Sequence, residues 1–166
     1  MKILLIILVV LSFSNIQVVI AETQVTVIEG KKFIDYQLTN YSRSKSLSIL
    51  EKDFNKVFVK LSKKYFKNGQ SISVTVTNLD LAGDIRFNIG NNNQDMRVVK
   101  DASPMKLYFN YKILAKDGTA VSEGEYKIKE FLRLSSHTSR LKQRGHLSHF
   151  IPFLEKWFET ELSSIN

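Results

Sequence analysis

The sequence predicts an α+β domain: a mainly antiparallel sheet of four to six strands, with two amphipathic helices packed on one face. Apolar residues recur at steps of three and four over residues 47–65 and again over residues 150–165, which is the period of a helix with one buried side. Between these stretches apolar and polar residues alternate, and Asp117-Gly118 separates two alternating runs. This second pattern is typical of strands joined by a tight hairpin.

Residues 1–21 are predicted to be a cleaved signal peptide. Lys2 precedes an apolar run over residues 3–11, a more polar stretch follows, and Ala21 supplies the small residue that signal peptidase prefers before its cut. The run is shorter than the roughly 20 residues that a helix needs to span a bilayer, so an uncleaved anchor is the less favoured alternative. We therefore expect residues 22–166 to form a single globular domain that is periplasmic or secreted and does not span a membrane once processed.

Charge and cysteine content narrow the classes of function. The formal net charge is +8, and the loss of Lys2 with the signal peptide lowers it by one, to +7. In an exported protein this charge indicates an anionic envelope polymer, lipid headgroups or an acidic protein as partner rather than nucleic acid, with simple solubility as the favoured alternative. The chain has no cysteine, which excludes disulfides, thiol chemistry and a lipid-bearing cysteine.

The first strand is predicted to begin at Thr23 and to end before Gly30. The first helix carries the apolar stripe and is expected to stop at Asn68-Gly69. A second strand follows, with its apolar residues on even positions: Ile72, Val74 and Val76.

The alternation changes phase after Val76, because the apolar residues from Leu79 onward occupy odd positions. A slip of one residue would turn a continuing strand inside out, so a bulge or bend is predicted near Thr77-Asn78. Leu79 and Leu81 are then expected to point to the core. A candidate polar cluster lines the opposite side, with its last two members close enough to pair: Asp80, Asp84 and Arg86.

The sequence Met-Arg-Val-Val from residue 96 is predicted to form a short strand before the hairpin. In the hairpin, a two-residue turn with both Asp117 and Gly118 at positive φ sets Lys116 opposite Thr119. The register then pairs Leu107 with Ile128, Phe109 with Tyr126, Tyr111 with Gly124, Ile113 with Ser122, Lys112 with Glu123, Leu114 with Val121, and Tyr108 with Lys127. The last helix is expected to begin near Phe150 or Ile151, because Pro152 fits a first helical turn.

A basic segment between the hairpin and the last helix lacks acidic residues and a sustained period. It holds all three histidines and the four cations that we take as a candidate binding surface: Arg133, Arg140, Lys142 and Arg144. A solvated loop is the favoured interpretation of such a segment, and contact with an anionic partner is the alternative that bears on function.

No catalytic, metal-binding or cofactor-binding pattern emerges. A calcium loop counted from Asn78 has Asp80 and Gly83 in place but carries Ala82 and Ile89 where ligands are needed. The histidines lack the spacing of a zinc site. We predict no metal, no cofactor and no catalytic residue.

Four stretches resemble the bacterial family of small exported proteins known as domain of unknown function 3016: NGQSISVTVTNLDLAGDI, DMRVVKDASPMKLYFNYKI, DGTAVSEGEYKIKEFL and FLEKWF. Asp-Leu-Ala-Gly after a strand, Arg-Val-Val before the hairpin and the late Trp-Phe are the most specific parts. The resemblance covers nearly all of residues 25–162, although His149-Phe150-Ile151 stand where the family carries a Tyr-Glu-Lys-like stretch. It implies an exported protein whose family has no assigned activity.

These observations together predict a non-enzymatic periplasmic binding or accessory protein that contacts an anionic envelope polymer or an acidic partner through the basic segment. The alternatives are an envelope hydrolase with Asp80 and Asp84 as its carboxylates, and a structural subunit of an envelope complex.

Overall fold

The structure is a computed structural model that describes residues 23–28, 33–67, 69–89, 95–132 and 145–165. The predicted signal peptide lies outside these residues. In chain order the described elements are β1 Gln24–Val27, α1 Arg43–Tyr65, β2 Ser71–Asp80, β3 Asp84–Arg86, β4 Met96–Val98, β5 Ser103–Leu114, β6 Ala120–Leu132 and α2 Ile151–Ile165. A short 3-10 turn, Ser148–Phe150, leads directly into α2. Within this part of the chain no helix combines the length and apolarity needed to cross a membrane.

The strands form two sheets rather than one. A four-stranded sheet has the order β1-β2-β5-β6, and β3 pairs with β4 in a separate two-stranded sheet. The mixed helix and strand class is confirmed, but the four-stranded sheet is itself mixed because β1 runs parallel to β2. The physical reason is the 23-residue helix between them, since a crossover of that length returns the chain in its original direction.

The predicted irregularity in β2 is confirmed. The register between β2 and β5 shifts between Val76 and Asn78, so Leu79 and Leu81 remain buried after the phase of the alternation has changed. Past the bulge, Ala82 and Gly83 both adopt positive φ, at 65° and 74°. This turn directs the chain away from the main sheet and into β3.

The hairpin of β5 and β6 has the predicted register over most of its length, from Leu107 opposite Ile128 to Ile113 opposite Ser122. The predicted pair of Leu114 with Val121 is wrong, because Leu114 lies opposite Ala120 and Val121 is an extra residue. The turn is also one residue longer than predicted.

The turn geometry explains this difference. The Ala115 N–H donates to the Thr119 carbonyl at 2.8 Å, and the Gly118 N–H donates to the Ala115 carbonyl at 2.9 Å. Gly118 has positive φ but Asp117 does not. The Asp117 carboxylate accepts from the Thr119 N–H at 2.9 Å instead, which stabilises a three-residue turn followed by a bulge.

Helix α1 begins earlier than the apolar stripe because Ser42 caps it, accepting from the Lys45 N–H at 3.3 Å. The other helix, α2, begins at Ile151, within the predicted range. Both helices contact the same strand residue, Phe109. Its ring centroid lies 5.5 Å from that of Phe58 in α1 and 5.1 Å from that of Trp157 in α2. The two helices therefore pack on one face of the main sheet, as predicted.

Candidate functional site

The candidate site lies where β2 ends and the chain turns toward β3. The 33–37 segment runs beside this point, because the Ile34 N–H donates to the Leu79 carbonyl at 2.9 Å and Ile34 forms a parallel bridge with Asp80. Tyr36 and Leu38 are buried in the core. The segment is thereby held at both of its ends.

The turn from Asp80 to Gly83 lies between β2 and β3 and forms the second part of the site. One oxygen of the Asp80 carboxylate accepts from the Ala82 N–H at 3.2 Å, which supports the left-handed backbone of a fully buried Ala82. A side chain at Gly83 would collide with the Val98 carbonyl oxygen. Glycine is required here both for its positive φ and for the close approach of β4.

Arg97 of β4 connects the two halves of the site. One terminal nitrogen donates to the carbonyls of Ala82 and Gly83, at 3.0 and 2.6 Å. The other donates to the carbonyls of Asp35 and Gln37, at 2.7 and 2.6 Å. The planar fork of the guanidinium allows one side chain to hold two backbone segments. Burial lowers the pKa of Arg97, and the nearby carboxylates of three aspartates oppose that shift.

An open groove of about 740 Å³ lies between the 33–37 segment and β3. Its lining combines aromatic, amide and charged side chains of both signs. The residues of this groove are Phe33, Ile34, Asp35, Tyr36, Gln37, Arg43, Asp84, Ile85, Phe87 and Arg97. Phe87 is 68% exposed, so its ring is available to a ligand. With four hydrogen bonds to backbone, Arg97 contributes mainly to the shape of the groove.

A smaller pocket of about 260 Å³ adjoins the groove and shares Asp35 and Asp84 with it. Asp80 also lines this pocket but is only 4% exposed. Burial raises the pKa of Asp80, while the Ala82 N–H and the Lys106 ammonium, 3.7 Å away, act in the opposite direction. The environments of Asp80 and Asp84 therefore differ, because Asp84 is exposed to solvent.

The predicted polar cluster is only partly assembled. Asp84 and Arg86 pair at 3.8 Å, as predicted. Asp80 does not lie on the exposed side with them, because the 33–37 segment and the following turn bury it and Lys106 pairs with it. A role for these residues in binding stays a prediction.

Residues 133–144 of the basic segment lie outside the described residues, and they include each cation of the predicted binding surface: Arg133, Arg140, Lys142 and Arg144. Two groups of the site were not predicted. The sequence offered one indication for Arg97, because it is a single arginine within the apolar run Met-Arg-Val-Val. It offered none for Asp35, since its position depends on the docking of a loop beside β2.

The described histidines do not converge on a metal site. His146 Nδ1 lies 2.8 Å from an Asp53 carboxylate oxygen, and burial lowers the pKa of His149. His137 lies outside the described residues. In the part of the chain that the structure describes, no three histidine or acidic side chains are grouped so that they could hold a metal ion.

No curated protein matches the chain. Among solved structures the chain is similar to that of "a putative lipoprotein from Caulobacter crescentus CB15", with 11% identity and a TM-score of 0.35 over 89% of this chain and 94% of that one. These values are too low to support a conclusion about function. Residues 21–160 match the family described as Protein of unknown function (DUF3016), which confirms the resemblance seen in the sequence. The chain belongs to the DUF3016 family.

Proposed function

We propose that the protein is a non-enzymatic binding or accessory protein of the bacterial envelope, periplasmic or secreted, that holds a segment of an anionic polymer in the groove. The observation that carries this proposal is the groove itself, an open site of about 740 Å³ whose walls are tied together by Arg97. A site that is already formed before binding loses little entropy when the ligand enters.

The chemistry of the groove suits a polar chain better than a small apolar molecule. Phe87 offers an exposed ring on which a flat, weakly polar surface can stack. Around it stand Asp35, Asp84 and Arg43, which can donate or accept hydrogen bonds at fixed positions. Saccharide chains of an envelope present this alternation of flat and hydrogen-bonding surfaces.

Attraction for an anionic polymer would come from charge outside the groove. The groove contains carboxylates as well as guanidinium groups, whereas the whole chain carries +8. We assign the long-range attraction to the basic segment with Arg133, Arg140, Lys142 and Arg144. In this arrangement the basic segment increases the rate of association, and the groove selects the ligand.

The test is binding of the purified protein to isolated envelope polymer over a salt series. Binding should weaken steeply as salt rises, because charged contacts are screened. Replacement of the four basic residues by glutamine should remove most of this salt dependence. The matched control replaces four exposed lysines of the α1 region by glutamine and so removes the same charge: Lys45, Lys52, Lys60 and Lys67. This control should bind more polymer than the variant of the basic segment. Equal loss in both variants would contradict a specific role for the basic segment.

The groove is tested separately with Phe87→Ala. We expect at least about a tenfold loss of affinity at constant salt, since covering an exposed Phe side chain contributes about 1.5–3 kcal/mol when the burial is complete. Ile89→Ala is the control, because Ile89 is also exposed and follows β3 but does not line the groove. If both variants bind like the wild type, the ligand does not lie in the groove.

A hydrolase is the second candidate, and one observation favours it. Asp80 and Asp84 line the same small pocket, and burial raises the pKa of Asp80 while Asp84 remains exposed. Two carboxyl groups in unlike environments can act as acid and base. Turnover of envelope saccharides or peptides that survives in both Asp80→Asn and Asp84→Asn would exclude this mechanism. A wild type that is inactive across a broad substrate panel would weaken it.

A further inference from the structure

The two edges of the main sheet are protected differently. On the outer side of β1, the Asn55 carboxamide donates to the Val25 carbonyl and accepts from the Val25 N–H, both at 2.9 Å. Glu51 accepts from the Val27 N–H at 3.1 Å. Side chains of α1 therefore take the place of a neighbouring strand at this edge. The other edge is β6, which has no strand on its outer side within the described residues.

β6 is long and carries a regular sequence. It spans 13 residues, and four charged residues alternate along the face that points away from the helices: Glu123, Glu125, Lys127 and Lys129. Toward its ends lie two apolar residues, Val121 at 40% and Phe131 at 60% exposure. Along this face of β6 the order is therefore one apolar residue, two glutamates, two lysines and one apolar residue.

This order is complementary to itself when the strand is reversed. We propose that β6 pairs antiparallel with β6 of a second copy of the chain, about a two-fold axis at Tyr126. Glu125 then faces Lys127 of the partner subunit, and Glu123 faces Lys129 of the partner subunit. Val121 faces Phe131 of the partner subunit. Every charge meets its opposite, and each contact occurs twice because the interface is isologous.

Neighbouring registers lack this match. Alternate residues of an edge strand direct their backbone groups outward, so paired residues must have numbers of the same parity. A pairing centred on Glu125 places two glutamates opposite each other, and one centred on Lys127 places two lysines together. The order of the charges along β6 thus selects a single register. Charges that served only to prevent edge-to-edge pairing would need no particular order. The proposed dimer is independent of the groove and of its ligand.

Sedimentation velocity of the purified protein over a range of concentrations tests the dimer. The wild type should show a reversible monomer–dimer equilibrium. Glu125→Lys should raise the dissociation constant by at least about tenfold, because it replaces two attractive pairs by two repulsive ones. The double variant with Glu125→Lys and Lys127→Glu should restore dimerisation to within about threefold of the wild type, since the exchanged charges again oppose each other.

Lys52→Glu, on the exposed side of α1, is the control for a general charge effect and should dimerise like the wild type. Circular dichroism of each variant shows whether it is folded. A wild type that remains monomeric up to roughly 200 μM would overturn the proposal, because any dimer would then be much weaker than ordinary specific complexes. A folded double variant that does not recover dimerisation would overturn the register.

Discussion

Replacement of Arg97 by methionine tests whether one side chain holds the groove together. Methionine keeps much of the aliphatic volume but removes every donor. Four hydrogen bonds are lost, to the carbonyls of Asp35, Gln37, Ala82 and Gly83. We expect the Asp35 and Gln37 backbone to separate from the turn before β3, while Ile34 and the buried Tyr36 and Leu38 keep the segment attached to the core.

The size of the effect follows from these bonds. At a net ~0.5–1.5 kcal/mol for each hydrogen bond, four bonds correspond to ~2–6 kcal/mol. Water can replace the guanidinium at the exposed Asp35 carbonyl, and removal of a partly buried charge recovers some desolvation energy. We therefore expect Arg97→Met to lower the free energy of unfolding by ~2–4 kcal/mol. Arg97→Lys should rescue little, since a single ammonium group cannot reach both pairs of carbonyls.

Urea unfolding followed by circular dichroism measures this loss, with a midpoint expected to fall by about 1–2 M. Hydrogen exchange shows where stability is lost, because amides near residues 34 and 82 should lose more protection than those of β5. Arg86→Met is the matched control: Arg86 is exposed and pairs only at 3.8 Å, so its loss should cost under about 1 kcal/mol. Equal stability of the two variants would refute the role assigned to Arg97.

Three further predictions concern stability and pH. Gly83→Ala should cost ~2–3 kcal/mol in thermal unfolding, because the new side chain meets the Val98 carbonyl. Gly118→Ala is the control and should cost only ~1 kcal/mol, because the space around Gly118 is open. Similar losses of stability in the two variants would contradict the packing argument. Trp157→Ala should cost ~3–5 kcal/mol in urea unfolding, because the buried Trp157 ring packs against Phe109, Tyr111 and Phe158. A loss below about 1 kcal/mol would contradict this packing argument. Burial raises the pKa of Asp80 above its ordinary 3.8, so the folded state binds this proton more tightly than the unfolded state. The wild type should therefore lose stability relative to Asp80→Asn as pH rises from about 4 through the raised pKa. A stability difference between the two proteins that does not change with pH would argue against the shift.

Local patterns predicted most of the fold, because the elements concerned are determined by nearby residues. The change of phase after Val76 located the bulge, and the alternation on both sides of Asp117-Gly118 set the pairing of Phe109 with Tyr126. The parallel pairing of β1 was missed because strand direction depends on how the chain returns after α1. The turn length was missed because the Asp117 side chain selects between two turns that have nearly the same sequence preference.

The site was less predictable, because it depends on contacts between residues far apart in sequence. Asp80 and Asp84 were identified from their spacing, but the burial of Asp80 results from the 33–37 segment, more than 40 positions earlier. Arg97 joins carbonyls 60 and 15 residues away. No local pattern contains that information. The sequence therefore indicated where polar residues gather, and the tertiary structure determined which of them are exposed.

The most direct test of the proposed function is a titration of the isotopically labelled protein with isolated anionic envelope saccharide polymer, observed through backbone amide chemical shifts. If the groove holds the ligand, the largest shifts should cluster in the 33–37 segment, at residues 84–87 and at Arg97, and should saturate with added polymer. Shifts that saturate at another surface, or no shifts at low salt, would contradict the assignment of the groove as the binding site.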